Sequence, residues 1–340
     1  MVEVAVIGLD IAKSVFQVHG VDSAGGVVIQ RKLTRARLLP FFEALPRCLL
    51  GIEACATAHH WGRQLREMGH DVRLMPPGYV KAYVKRQKND MADAEAICEA
   101  VTRPTMRFVE IKSPEQQGIM VLHRTRQTLM RQRVQLSNTI RAHIAEFGLV
   151  APTGREGLQR LIDSLPTIEQ APPVAQACLM MLASQLKLVN EQILQADRAI
   201  LTSVRANEVA RRLMTIPGVG PLVASAIVAS VPDPKAFRSG RNLAAWIGLV
   251  PKQNSSGGKE RLGSITKAGN RYLRQMLVVG ALAVIRRAQQ CGSRRTWLTQ
   301  LMSRRNTKQA AVALANKTAR TIWALMTSGQ AYREPEAMAA

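Results

Sequence analysis

The sequence predicts an α/β domain followed by a mainly α-helical region, and three patterns support this. Short apolar, β-rich segments alternate with helical ones up to about residue 110, as they do in α/β folds. From about residue 115 to 205, apolar side chains recur at helical spacing. The rest combines glycine-rich turns with basic helical segments. We therefore expect an α/β domain at 1–112, a helical arm at 113–207, a third domain at 208–330 and a flexible tail at 331–340.

The first domain begins as a hairpin meander. Three apolar runs come first, and Gly25 and Gly26 supply a turn between the second and the third. A proline-rich break at 76–78 precedes the last helix of the domain. The predicted elements are strands at 2–9, 15–21, 27–33, 49–52 and 71–75, and helices at 59–68 and from about Asp90.

The arm is predicted to contain two long antiparallel helices. Leu122, Leu129 and Leu136 are seven residues apart, the interval of a coiled coil. A second periodic segment runs from Leu182 to Ile200, and the glycines and proline at 148–157 favour a hairpin end between the two helices. An ordinary helix-bundle core would give the same pattern, so the pattern leaves both possibilities open.

The third domain contains a glycine motif between apolar helical segments. Residues 216–220 read IPGVG, which resembles a helix–hairpin–helix element. Glycines at Gly218 and Gly220 would let backbone N–H groups approach a phosphate closely. The alternative is a plain turn between two helices. Further helices are predicted at 271–287 and 308–326.

The charge balance indicates a polyanionic partner. Lysine and arginine total 47 against 24 aspartates and glutamates, a formal net charge of +23. Such an excess repels itself unless a polyanion is bound, and nucleic acid is the expected polyanion. The alternative is a generic cationic surface. Aromatic residues are only 4% of the chain, so phosphate contacts should outweigh wide base-stacking platforms.

Membrane and secretory classes are not expected. The longest apolar run, at 276–285, is too short to span a bilayer and is flanked by arginines. The N-terminus lacks a basic stretch followed by an apolar segment. The five cysteines show neither disulfide nor zinc spacing. We expect a cytoplasmic protein with no membrane partner.

Acidic residues stand at the ends of predicted strands and at the start of a helix. Asp10 closes the first strand and Glu53 closes the fourth, while Asp90 and Asp93 are three residues apart on one helix face. Clustered carboxylates are ligands for Mg²⁺ or Mn²⁺, and this order is that of ribonuclease-H-like nucleases. The alternatives are a helix N-cap for Asp90 and a surface charge for Glu53.

A serine–glycine segment is a candidate nucleophilic site. Residues 251–259 read PKQNSSGGK, a basic and flexible loop in which glycines follow Ser255 and Ser256. Serine is a poor nucleophile unless a base, a metal or a positive field activates it. On these residues alone, an ordinary surface loop is the simpler interpretation.

Taken in order, the motifs resemble those of one family over nearly the whole chain. The chain is similar to the DEDD transposases of the IS-one-ten insertion-sequence family, which are bridge-RNA-guided serine recombinases. One difference is Ser264, which stands where a basic residue is expected. The matching segments are 8–13 (GLDIAK), Glu53 and Ala54 with Trp61, 88–94 (KNDMADA), 216–220 (IPGVG), Phe237, 243–251 (LAAWIGLVP), 255–258 (SSGG) and 265–274 (ITKAGNRYLR).

The resemblance implies a fold and a chemistry. It implies a RuvC-like domain, a coiled-coil arm and a C-terminal transposase domain. It implies that Asp10, Glu53, Asp90 and Asp93 bind the metal, and that a serine, Ser256 by position rather than Ser255, forms a covalent bond to DNA. It also implies guide RNA, donor DNA and target DNA as partners, dimers that pair into a tetramer, and a bacterial, nucleoid-associated setting.

Two other functions remain as alternatives. A junction-resolving nuclease would use the carboxylates with water and would not need the serine, and a non-catalytic nucleic-acid-binding protein would need neither.

Phosphate contacts are expected from basic and glycine residues spread over the three domains. The residues expected to contact nucleic acid are Lys13, Arg124, Arg126, Arg131, Gly218, Gly220, Lys252, Lys259, Arg261, Lys267, Arg271 and Arg274.

Overall fold

The chain forms two compact units. A computed structural model describes residues 3–85, 89–167, 170–291 and 296–334. Unit 1 comprises residues 1–115 with 231–236, and unit 2 comprises 116–230 with 237–340. The predicted arm and third domain both fall largely in unit 2. Lys88 and the last six residues of the predicted tail lie outside the described ranges.

Unit 1 is built on a five-stranded mixed sheet of order β3-β2-β1-β4-β5. The first three strands pair antiparallel as the predicted meander, whereas β1, β4 and β5 are parallel. The mixed α/β character of this region is confirmed. Its elements are β1 (Val6–Ile11), β2 (Val15–Val21), β3 (Val27–Thr34), α1 (Arg35–Glu43), β4 (Leu49–Glu53), α2 (Ala58–Glu67), β5 (Asp71–Met75), α3 (Pro77–Val80) and α4 (Asp90–Val101).

Helices cover both faces of this sheet. Helices α1 and α2 pack on one face, where Phe16 and Trp61 meet edge to face at 5.2 Å. Helix α1 was not predicted. Pro40 lies inside it, and burial of Leu38 and Phe42 outweighs the penalty of that proline. Helix α4 packs on the other face, against Val6 and its neighbours.

Two glycines let α4 lie directly on the strands. A Cβ at Gly8 of β1 would lie 2.1 Å from the Ala94 carbonyl oxygen, and one at Gly51 of β4 would lie 2.8 Å from Val101 Cβ. Because strand side chains alternate between faces, residues two positions after each glycine also face α4. Those residues are Asp10 and Glu53.

Unit 2 is mainly helical, as expected for this part of the chain. Its one described sheet is the two-stranded pair of β6 and β7. The first two residues of α5 belong to unit 1. The elements are α5 (Pro114–Ala145), α6 (Arg155–Ser164), α7 (Pro173–Ala206), α8 (Glu208–Leu213), α9 (Pro221–Ser230), α10 (Gly240–Ile247), β6 (Pro251–Gln253), β7 (Leu262–Ile265), α11 (Arg271–Cys291), α12 (Thr296–Arg304) and α13 (Thr307–Ser328).

Helices α5 and α7 run in opposite directions. Ile140, late in α5, shares an apolar cluster with Leu179, early in α7. Arg126, early in α5, pairs with Asp197, late in α7. Helix α6 lies between them in sequence, where only a turn region was predicted. Coiled-coil packing of the predicted leucine heptads stays a prediction.

A buried histidine ties α5 to two other helices. His123 is 1% exposed, and its ring nitrogens lie 2.9 Å from the Tyr272 hydroxyl on α11 and 3.1 Å from Ser225 Oγ on α9. Burial, with a smaller effect from Arg126, lowers the pKa of His123 to about 4. The ring is therefore neutral near pH 7 and bridges the two hydroxyl groups.

Membrane-spanning character is lacking in the described parts of the chain. None of the helices there combines the length and the apolar content that a bilayer crossing requires.

Candidate catalytic site and nucleic-acid interface

Asp10 and Glu53 stand side by side at the carboxyl ends of two neighbouring parallel strands. Leu9 of β1 is in register with Ile52 of β4, and each carboxylate residue comes next in its strand. Asp10 lies inside β1, one residue before its end, so the predicted strand at 2–9 was set too early. Both side chains are half-buried on the α4 face.

Asp90 and Asp93 occupy the first turn of α4. The N-cap is Asn89, whose side chain accepts a hydrogen bond from the Ala92 backbone N–H at 2.8 Å. The alternative interpretation of Asp90 as the N-cap is therefore wrong. Asp90 is exposed and Asp93 is half-buried.

The four carboxylates interact electrostatically. Burial and, in decreasing order, the negative charges of Asp93, Asp90 and Glu53 together raise the pKa of Asp10 to about 6. The same neighbourhood, burial first, raises the pKa of the Cys55 thiol, with contributions from Glu53 and Asp10. Unit 1 thus carries a local excess of negative charge around Asp10, which a cation would relieve.

The donor chemistry of this cluster fits Mg²⁺ or Mn²⁺. Carboxylate oxygens are the preferred ligands, and Mg²⁺ keeps several waters while using one or two carboxylates. Within the described ranges, no three histidine, cysteine, aspartate or glutamate side chains lie close enough together to hold an ion by themselves. The four residues therefore share one face and one electrostatic field without forming a closed coordination sphere.

Sequence reasoning missed one polar neighbour of this cluster. Gln17 of β2 is the register partner of Asp10 and is only 9% exposed. Side chains of paired residues lie on the same face of a sheet, about 4.5–5.5 Å apart at Cβ. The signal available in the sequence was a glutamine flanked by apolar residues within a predicted strand.

The serine–glycine segment is the tip of a β-hairpin, not the flexible loop that was predicted. Strands β6 and β7 pair antiparallel, and the Lys259 N–H donates to the Ser256 carbonyl oxygen at 3.1 Å. Gly257 and Gly258 have φ of 56° and 75°, the left-handed conformation of a type I′ turn. Two consecutive glycines satisfy this turn without strain.

The two serines differ in their hydrogen bonds. The Arg261 N–H donates to Ser255 Oγ at 3.2 Å, which engages that hydroxyl within the hairpin. The Ser256 hydroxyl is exposed and has no hydrogen-bond partner among the residues that the structure describes. Ser256 is therefore the more available of the two for an external phosphate.

Two predicted phosphate contacts are used within the protein instead. The side chain of Arg126 is 16% exposed and forms an ion pair with Asp197. Arg274 Nη1 donates to the Ile247 and Ala268 carbonyl oxygens at 2.7 and 2.9 Å. The other predicted basic residues are exposed: Lys13, Arg124, Arg131, Lys252, Lys259, Arg261, Lys267 and Arg271.

The two predicted glycines have different surroundings. Gly218 has a φ of 86°, and a Cβ there would lie 2.9 Å from the Gly280 carbonyl oxygen of α11. Packing against α11 thus explains Gly218 without a phosphate. A Cβ at Gly220 would meet nothing within 4 Å, so only Gly220 remains open to a ligand.

Comparison with known proteins covers both units. Residues 7–148 match the DEDD transposase family of IS110, and residues 210–296 match the family described as transposase IS116/IS110/IS902 family. The first match includes all four acidic residues, and the second includes the serine hairpin and the glycine motif.

Whole-length relatives are transposases by name. A "Probable family 20 transposase" of Pseudomonas aeruginosa is 48% identical over 96% of this chain and 98% of that protein. The transposase for insertion sequence element IS1111A of Coxiella burnetii is 40% identical, over 98% and 92%. The transposase for insertion sequence element IS1328 of Yersinia enterocolitica is 37% identical, over 98% and 99%. The chain therefore belongs to the IS110/IS116/IS902 family of insertion-sequence transposases.

Proposed function

We propose that the chain is a metal-dependent, RNA-guided recombinase that cuts, exchanges and rejoins DNA through a covalent bond to Ser256. The observation that carries this proposal is the exposed Ser256 hydroxyl at the tip of a hairpin with two glycines beside it. No side chain at Gly257 or Gly258 obstructs the approach of a DNA backbone, because both positions face open space.

The serine step is a phosphoryl transfer that conserves bond energy. Ser256 Oγ forms a new P–O bond, the P–O bond to the departing DNA oxygen breaks, and the serine proton is given up as the departing oxygen gains one. The hydroxyl of an exchanged strand then reverses the reaction and releases the serine. No nucleoside triphosphate is consumed, since one phosphodiester replaces another.

The hairpin supplies positive charge to this step. Lys252, Lys259 and Arg261 are exposed on it, against one acidic residue, Glu260. These cations hold the DNA phosphates and favour the ionised form of the serine hydroxyl.

The acidic cluster is the metal-binding part of the proposal. Asp10, Glu53, Asp90 and Asp93 would hold Mg²⁺ or Mn²⁺, and when bound the ion supplies charge neutralisation at the scissile phosphate. The elevated pKa of Asp10 means that this carboxyl group must give up its proton before it can act as a ligand. The close packing of α4 on Gly8 and Gly51 supports this assignment, because it brings the helix that carries Asp90 and Asp93 against the strands that carry Asp10 and Glu53.

Guide RNA and an oligomer complete the proposal. Base pairing to a guide would read donor and target sequence, while the protein contacts backbones. Dimers that pair into a tetramer would place four serines on the two exchanging duplexes. The resemblance to the family motivates both points.

The test is to trap the covalent complex. Protein, element-end DNA, guide RNA and Mg²⁺ are incubated and then denatured, and labelled DNA that migrates with the protein is measured. The proposal predicts an adduct for the wild type and for Ser255→Ala, and none for Ser256→Ala. Full strand cleavage by Ser256→Ala without an adduct would instead establish the water-driven nuclease.

A further inference from the structure

Unit 2 contains a large open groove at the base of the serine hairpin. Its volume is about 1340 Å³. One wall is the hairpin base, with Pro251 on β6 and Ser264 on β7; the others are the start of α10, the start of α12 and one face of α13 from Lys308 to Ala324. None of the proposed catalytic residues lies in it.

The groove is cationic. Arg241, Lys308, Lys317 and Arg320 are all exposed, and they line it from α10 and α13. Among the described residues that line the groove, none carries a carboxylate. Four unbalanced cations in one concave surface repel one another and attract a polyanion.

The walls of the groove are fixed in place by specific contacts. A Cβ at Gly240 would lie 3.0 Å from Arg320 Cα, so α10 lies directly against α13 there. Asn316 Nδ2 donates to the Leu249 carbonyl oxygen at 3.2 Å, and Trp323 Nε1 donates to the Phe237 carbonyl oxygen at 3.1 Å. The cations therefore project from a preformed scaffold, which lowers the entropy cost of binding.

One aromatic side chain is open to the groove. Trp297 on α12 is 38% exposed, which is unusual for so large an apolar side chain. Lys317 Nζ lies 4.3 Å from the centroid of its ring. An exposed indole beside several cations combines the two features by which proteins hold unpaired nucleotides, base stacking and phosphate contacts.

We propose that this groove binds a single-stranded segment of nucleic acid. Arg241, Lys308 and Arg320 contact its phosphates, and one unpaired base stacks on Trp297. Ser256 is five residues beyond Pro251, so it lies at most roughly 17 Å from the hairpin base that forms one wall of the groove. The inference rests on the proposed function only for the assumption that the bound strand belongs to the recombining substrate.

The experiment measures binding of a fluorescein-labelled 20-nucleotide oligo-dT by anisotropy, without metal, over a range of salt concentrations. Arg241→Gln and Arg320→Gln should each reduce the salt slope by about 0.7 and weaken binding about fivefold at 0.1 M salt. Arg160→Gln and Lys187→Gln, exposed on α6 and α7 outside the groove, are the matched controls and should bind like the wild type.

Stacking of a base on Trp297 is tested by substitutions of that residue. Trp297→Leu should weaken binding roughly five- to a hundredfold without changing the salt slope, whereas Trp297→Phe should stay within about threefold of the wild type. A blunt 20-base-pair duplex should be insensitive to Trp297→Leu, since its bases are already stacked. Equal sensitivity of the duplex would overturn the single-strand assignment.

A gain-of-affinity variant excludes misfolding as an explanation. Ser264→Arg adds a cation to the groove and should tighten binding about fivefold at 0.1 M salt. Unchanged binding by Ser264→Arg, or groove variants that behave like the controls, would refute the inference.

The binding experiment and the adduct experiment test the groove and the recombinase proposal separately. Ser256→Ala should bind the oligonucleotide normally. If no adduct ever forms but groove variants still weaken binding, the inference stands and the recombination scheme does not.

Discussion

Asp10→Asn should make the metal-free protein more stable at pH 7.5. Asp10 is held ionised against burial and three neighbouring negative charges, which raise its pKa from 3.8 to about 6. A shift of about two pH units corresponds to about 3 kcal/mol, and partial exposure reduces this to about 1–2 kcal/mol. Asparagine has the same shape without the charge, so the variant should melt about 1–3 °C higher.

The destabilising effect of Asp10 depends on pH. Between about pH 4 and pH 6 the folded protein keeps the Asp10 proton that the unfolded chain has lost, so this group reduces stability progressively as pH rises through that window. Above pH 6 the penalty is complete. Thermal unfolding of wild type and Asp10→Asn should therefore diverge from pH 4 to pH 6 and then run parallel.

The thermal unfolding measurements include a control variant and a series with added metal ion. Glu43→Gln, at an exposed residue of the same unit, should change stability by less than about 0.5 kcal/mol. Mg²⁺ or Mn²⁺ should raise the melting temperature of the wild type and not that of Asp10→Asn. An Asp10→Asn protein that is less stable than the wild type in chelator at pH 7.5 would refute the electrostatic reasoning.

Three further predictions concern unit 2. His123→Ala should cost about 2–4 kcal/mol in denaturant unfolding, because the hydroxyls of Ser225 and Tyr272 lose their shared partner, whereas exposed His143→Ala on the same helix should be near neutral. Gly218→Ala should cost about 2–4 kcal/mol through its positive φ and its contact with α11, whereas a similar loss for Gly220→Ala would contradict the geometry. Gly257→Val should slow adduct formation with little change in melting temperature, since it strains only the exposed turn.

The strand positions of the acidic residues could be predicted from sequence. Short continuous apolar runs specify β1 and β4, and parallel neighbours bring their carboxyl ends together. The register with Gln17 could not be predicted, because it depends on how β2 pairs with β1. The start of α4 near Asp90 was predicted correctly, whereas the sequence does not distinguish Asn89 from Asp90 as the N-cap, because the two side chains have equal capping ability.

The basic residues were harder to assign because their partners are distant in sequence. Asp197 is far along the chain from Arg126, and the carbonyl groups that hold Arg274 are on another element. A count of charged residues treats such arginines as free to bind phosphate, whereas in the folded protein they bind other groups of the same chain. The paired glycines at 257–258 did contain a hairpin signal, which the surrounding polar residues obscured.

The most direct measurement of the central claim is mass-spectrometric mapping of the residue that carries DNA after the reaction. Wild-type protein with Mg²⁺ should yield a nucleotide-modified peptide at Ser256, and neither chelator-treated protein nor Asp10→Asn should yield it. A modified peptide at another residue, or the same yield at Ser256 in chelator, would contradict the joint action of the acidic cluster and the serine hairpin.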